Sequence, residues 1–172
     1  IVMADEINRA TPRTQSALLE AMQERQATID GVTMALPDPF LVMATQNPIE
    51  MEGTFPLPEA QVDRFMVRIK IGYPTPEEES RILQRFHGDS VAPQLEAVID
   101  AAGLTDAQRA LASVTVGEEV RGYIVSIAQE TRGHAGLSLG ASPRAALALY
   151  KTSQALAAVD GRDFVTPDDV KH

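Results

Sequence analysis

The 172-residue sequence carries 24 acidic against 15 basic side chains, a formal charge of −9 that excludes a broad nucleic-acid-binding face and leaves room only for a local basic patch. With no cysteine it can form neither a disulfide framework nor a thiolate metal site, a composition that fits a reducing cytoplasm. Its apolar runs, such as Phe40 to Ala44, are far too short to cross a bilayer, and no block of Lys and Arg suits an anionic membrane, so no membrane insertion is expected.

This length holds one ordinary domain, or part of one with a small satellite. His87, His134 and His172 lie far apart, and no pair has the helical spacing of zinc ligands. The chain opens inside an apolar run, Ile1 to Ala4, which reads as a buried strand entered partway along. The lack of a leader sequence is therefore uninformative.

Residues 1–73 alternate short apolar strands with one helix, an α/β pattern. Thr11-Pro12 is a helix start, in which Thr caps free amides and Pro tolerates the first helical position. Leu18, Ala21, Met22 and Arg25 follow at helical spacing, the first three forming an apolar side. Asp30-Gly31, inside the β-prone segment Gln26 to Leu36, predicts a tight hairpin. Phe40 to Thr45 reads as a second buried strand. Val67, Ile69 and Ile71 alternate with Met66, Arg68 and Lys70, which predicts a third, half-exposed strand.

Residues 74–172 are helical in pattern. Thr75 with Glu78 forms a capping box at one helix start. Val120, Tyr123, Ile124, Ile127 and Ala128 make an amphipathic stripe. Ser142-Pro143 opens a helix that Asp160-Gly161 ends, and Thr166-Pro167 opens another.

Four places carry chemistry. Asp5-Glu6 ends the first strand, where open α/β sheets bind ligands. One carboxylate there suits an Mg²⁺ ion and the other a water that attacks phosphate, although a solvated acidic loop has the same appearance. Asn47, in Thr45-Gln46-Asn47-Pro48, could orient a nucleophile or simply sit in a turn before proline. Arg64 could place its charge on a phosphate of its own or a neighbouring subunit, or pair locally with Asp63 or Glu59. Arg144 lies in the first turn of a helix, where the positive dipole end makes an anionic partner attractive.

Taken in order, these segments are specific. Ile1 to Ala10 resembles the Walker B segment of MoxR-family AAA+ ATPases, including its Asn8-Arg9-Ala10 extension. Leu19 to Gln26 and the hairpin are similar to that family's helix and pre-sensor hairpin, and Ala44 to Pro48 to its sensor 1. Leu57 to Phe65 resembles its arginine-finger stretch, Gly140 to Ala145 its sensor 2 helix start, and residues 160–170 its lid. The resemblance implies the second half of a P-loop NTPase AAA+ core, with a β-hairpin insertion in its parallel sheet, followed by an all-α lid. It implies ATP and Mg²⁺ as cofactors, with Asp5 organising the metal shell and Glu6 activating water. Asn47 would be sensor 1, Arg64 a finger acting across a subunit boundary, and Arg144 the reporter of the γ-phosphate to the lid. It further implies self-association into a ring, commonly a hexamer, that remodels or matures client proteins, often beside proteins with von Willebrand factor A domains.

One departure stands out. Neither GxxxxGKS nor GxxxxGKT occurs, nor the strand that precedes such a loop, so the backbone amides and lysine that cradle a triphosphate are missing. The expectation is a native product longer at its N-terminus, and no ATP hydrolysis by these residues alone. Two other readings compete: an ATP-independent interaction module with vestigial nucleotide residues, and a magnesium-chelatase-type ATPase subunit. The Asn-Arg-Ala extension and the Thr-Gln-Asn-Pro segment favour MoxR over the latter.

Overall fold

The computed structural model describes residues 1–47, 53–85 and 95–172. Pro48 of the sensor-like segment and His87 lie outside the described residues. The α/β half contains β1 (Val2–Ala4), α1 (Pro12–Glu24), β2 (Gln26–Ile29), β3 (Val32–Ala35), β4 (Val42–Ala44) and a single-turn α2 (Glu59–Val62). The helical half contains α3 (Pro76–Arg85), α4 (Ala101–Ala110), α5 (Glu118–Gly133), α6 (Pro143–Val159) and α7 (Pro167–Lys171).

β1 and β4 pair in parallel, Val2 opposite Val42 and Ala4 opposite Ala44, so their carboxyl ends finish side by side. The chain between them forms α1 and the hairpin. Thr11 caps α1 by accepting from the Thr14 amide, with Pro12 in the first turn. The deepest residues of α1 are Gln15 and Leu19, while Leu18, Ala21 and Met22 are half-buried. The buried stripe thus runs to one side of the one expected, because the helix packs on the irregular segment around Ile7 and Phe55. Arg25 ends α1 in the left-handed conformation, its guanidinium 5.8 Å over the Phe40 ring. Asp30 and Gly31 both take positive φ, 50° and 80°, the turn whose twist matches a two-residue hairpin between β2 and β3.

Three sequence expectations are corrected here. Residues 66–74 form no strand, and Ile69 and Ile71 are exposed. A strand exists only by pairing its amides and carbonyls with a neighbour, and this segment has none among the described residues. Likewise the segments read as buried strands, Ile1 to Ala4 and Phe40 to Thr45, are short and expose Ile1, Met3, Leu41 and Met43. A parallel sheet buries both faces only when layers cover them, and two strands leave apolar side chains in water.

The helical half closes its own core. Val120, Ile124 and Ala128 on α5 are buried at the expected spacing, and the first two meet Ala157 of α6, Val165 and Val170. The α5 entry and the α7 entry are tied by backbone bonds from Thr115 N to Asp163 O and from Val165 N to Thr115 O, 2.8 and 2.9 Å. Gly161, at φ 75°, turns the chain after α6. Asp169 then closes a capping box on Thr166, and both its oxygens accept from the Arg162 guanidinium at 2.6 and 2.7 Å. Among the described residues no helix is long and apolar enough to cross a membrane.

Candidate functional site

The parallel pairing of β1 and β4 delivers Asp5-Glu6 and Thr45 to the same edge. One hydroxyl joins them: Thr45 Oγ1 accepts from the Glu6 amide at 2.9 Å and donates to Asp5 Oδ1. Backbone bonds continue the pairing past the strand ends, from Thr45 N to Ala4 O and from Ile7 N to Thr45 O, each 3.0 Å. Glu6 itself sits at φ 48°, ψ 52°, a left-handed conformation that costs a non-glycine residue about 1–2 kcal/mol. The Thr45 bond and the backbone bonds on both sides hold it there. Its carboxylate lies 3.2 Å from Arg9, a pair exposed enough to be worth less than about 1 kcal/mol and to exchange readily.

Behind the acids, Asn8 is buried and reaches towards the Asn47 carbonyl with its amide nitrogen, a long 3.5 Å contact, while its backbone oxygen accepts from Phe55 N. Asn8 Oδ1 is buried with no hydrogen-bond partner among the described residues. The equally buried Gln15 donates to the Ile7 and Phe55 carbonyls at 3.1 and 2.8 Å. These two amides seat the Asp5–Arg9 loop on α1 and on the segment leading to α2.

The two arginines form a second group. Arg64 does not pair with Asp63 or Glu59; its guanidinium donates to Gln23 Oε1 on α1, and its Nε is buried without a partner among the described residues. Asp63 turns instead to the helical half, accepting from Ser142 Oγ at 2.7 Å and lying 3.6 Å from Arg144. Ser142 simultaneously caps α6 by accepting from Ala145 N. The loop before it is clamped to the end of α5: Ala141 N donates to Thr131 Oγ1 and Arg132 Nε to Ala141 O, at 2.9 and 2.8 Å. A Cβ on Gly140 would stand 2.5 Å from the Arg132 Cα, so only glycine permits this approach.

Asp5, Glu6 and Thr45 thus come together, with the Asn47 backbone alongside through Asn8, while Arg64 is held on Gln23 and Arg144 beside Asp63. Thr45 and Asp63 carry no functional reading in the sequence. A threonine ending a strand and an acid beside an arginine are common, and their partners lie 39 to 79 residues away. The donor set suits Mg²⁺. The candidate ligands, the carboxylates of Asp5 and Glu6, are hard oxygens. That matches an ion which keeps most of its waters and binds through one or two carboxylates plus phosphate.

Residues 1–67 match the family described as ATPase family associated with various cellular activities (AAA), and residues 129–172 match the AAA lid domain. The chain is 50% identical over its whole length to the "Uncharacterized protein YeaC" of Bacillus subtilis, spanning 54% of that protein. It is 46% identical over 178 aligned residues to "Chaperone MoxR1" of Mycobacterium tuberculosis, covering 98% of this chain and 47% of the relative. A solved structure from Cytophaga hutchinsonii, described as a "putative ATPase", superposes with a TM-score of 0.89 at 42% identity, covering 98% of this chain and 54% of that one. An MCM homologue from Methanopyrus kandleri, at TM-score 0.61 and 23% identity, shares the fold alone. The chain therefore spans about half the length of the relatives it matches. An acid pair at the end of a parallel strand, a helical lid joined to it through Asp63, and these collinear matches lead to one assignment: the chain belongs to the MoxR family of AAA+ ATPases.

Proposed function

We propose that this chain is the hydrolytic and sensing part of a MoxR-like ATPase that couples ATP binding and hydrolysis to the remodelling or maturation of client proteins. The observation that carries the reading is the Asp5–Thr45–Glu6 linkage, which fixes the Asp5 carboxylate and the Glu6 backbone at the carboxyl edge of a parallel strand pair. Bound Mg²⁺ would neutralise charge on the phosphates. Asp5 would hold it there, largely through water, and the Thr45 hydroxyl orients that carboxylate. Glu6 would accept a proton from the attacking water, its backbone fixed by Thr45 so that the carboxylate projects from a defined point. Asn47 would orient the same water from the neighbouring strand end. Arg64 would serve the phosphates of the adjacent subunit, and Arg144 those of its own.

The division into an α/β core over residues 1–73 and a lid over 74–172 belongs to the same reading, as does a cytoplasmic ring, hexameric by the family's habit, with von Willebrand factor A domain proteins among its partners. The name "Chaperone MoxR1" on a 46% identical relative supports a client-directed role. Lacking a GxxxxGKS or GxxxxGKT segment, the 172 residues by themselves are expected to be inactive.

The test is ATP binding and hydrolysis by the full-length protein and its Glu6→Gln variant. The variant is expected to bind ATP normally and hydrolyse it about 100-fold or more slowly, the scale of a lost general base. No hydrolysis by either protein, under conditions where rings form, would replace the motor with an ATP-independent docking module.

A further inference from the structure

Among the described residues, Asp63 joins the α/β half to the start of α6 through side chains. Its two carboxylate oxygens both face the first turn of α6, Oδ1 taking the Ser142 hydroxyl at 2.7 Å and Oδ2 lying 3.6 Å from Arg144 Nη1. The next residue is Arg64, whose guanidinium is engaged on Gln23 and so leaves Asp63 to the lid. Arg144 sits at the positive end of its own helix, which gives a cation no support, so Asp63 supplies the counter-charge. The two contacts differ in kind. The hydroxyl bond is short and part-buried, and it belongs to the residue that caps α6. The ion pair is long, single-pronged and half-exposed, the sort that another anion displaces easily.

We propose that Asp63 is a positioning residue for Arg144: it holds the lid arginine until the γ-phosphate competes for the same guanidinium. Standing one residue before Arg64, it also ties that exchange to the segment carrying the second arginine. The inference rests on Arg144 being the phosphate-sensing residue of the proposed ATPase. Its physical content is competition between a carboxylate and a phosphate for one cation. Removing the carboxylate's charge therefore tightens triphosphate binding, and without Arg144 the change at Asp63 has nothing to act on.

Titration of the full-length protein with a non-hydrolysable ATP analogue and Mg²⁺ tests this, using Asp63→Asn, Arg144→Ala, the double variant and Ser142→Ala. Asp63→Asn, which keeps an oxygen for the Ser142 hydroxyl, is expected to bind the analogue up to about fivefold more tightly, the range of an exposed ion pair, with ADP binding unchanged. Asp63→Ser carries the same expectation should the amide variant not fold. Arg144→Ala is expected to bind the analogue more weakly, the double variant to match Arg144→Ala, and Ser142→Ala to stay within about twofold of the parent. If Arg144→Ala weakens binding while Asp63→Asn does not tighten it, or if tightening persists in the double variant, the competition is overturned and the sensing role of Arg144 stands. If Arg144→Ala binds the analogue normally, the sensing role itself fails and this inference with it.

Discussion

The α5–α7 bundle and the β1–β4 strand pair with the segment after α2 treat their apolar residues differently. In the helical half Ile124 is 3% exposed and Ala157 fully buried, and one cluster runs from Val114 to Val170. In the α/β half Met3 is 62% exposed and Ile71 95%, although both lie in segments with the composition of sheet interior. Helices satisfy their backbone internally and need only one covered face, which α5, α6 and α7 give each other. A parallel sheet is buried only when further strands flank it and layers cover both faces, and among the described residues β1 and β4 pair only with each other. Stability in this chain should therefore be concentrated in the α5–α7 bundle, with the sheet edge and its acids held mainly by Thr45, Gln15 and Asn8.

The largest expected effect breaks that comparison if it is absent. Ile124→Ala removes a side chain from the middle of the helical cluster and should cost about 2–4 kcal/mol in chemical denaturation. Met43→Ala, on the exposed face of β4, should stay within about 0.5 kcal/mol. Equal losses would mean that the two halves share one core. Gly140→Ala comes next, because its Cβ would collide with the Arg132 backbone, and overpacking of this kind costs about 1–3 kcal/mol. Since that loop leads directly to Ser142, the same change should loosen the Asp63 contact as well as lower the melting temperature.

Legibility divides along the same line. The capping box at Thr75, the helix start at Thr166, the α5 stripe, the left-handed turn at Asp30-Gly31 and the ends of α6 all formed as their residues dictate. Each depends on partners within a few residues or on one helix face. The strand expected over Val67 to Ile71 did not form, since alternation describes which face a strand would show and not whether a neighbour exists. Asp5 and Glu6 were legible as acids at a strand end, whereas the Thr45 hydroxyl binding both was not, because it arrives 39 residues later through parallel pairing. Arg64 and Arg144 were legible as cations in search of anions. Their actual partners, Gln23 and Asp63, depend on how α1 and α6 pack against the segment around α2.

A smaller effect concerns acid. The Arg162 guanidinium beside Asp169, with the Thr166 amide and hydroxyl, holds that carboxyl well below the usual carboxylate range despite its burial. A carboxyl depressed in the folded state contributes stability that is complete above its unfolded value, near 4, and is lost as pH falls towards the folded value. The lid should thus keep its melting temperature from neutrality to about pH 5 and lose it progressively below about pH 4. Asp169→Asn should flatten that acid limb while lowering stability at neutral pH. An unchanged acid limb would place the sensitivity elsewhere.

The smallest effect sharpens the contrast most. Ile71→Ser changes a side chain that is almost wholly in water, so in the 172-residue chain its cost should be below about 0.5 kcal/mol. The same substitution should behave differently in the full-length protein if the alternating segment finds a neighbouring strand there. A serine in a covered sheet face forfeits the burial of an isoleucine, about 1.5–3 kcal/mol. Parallel urea titrations of the two lengths, each with and without the substitution, read that difference directly. A silent substitution in both would show that residues 66–74 are a linker whose apolar spacing has no structural use. A cost confined to the longer protein would show that this sequence specifies a strand which only partners from elsewhere in the protein allow it to form.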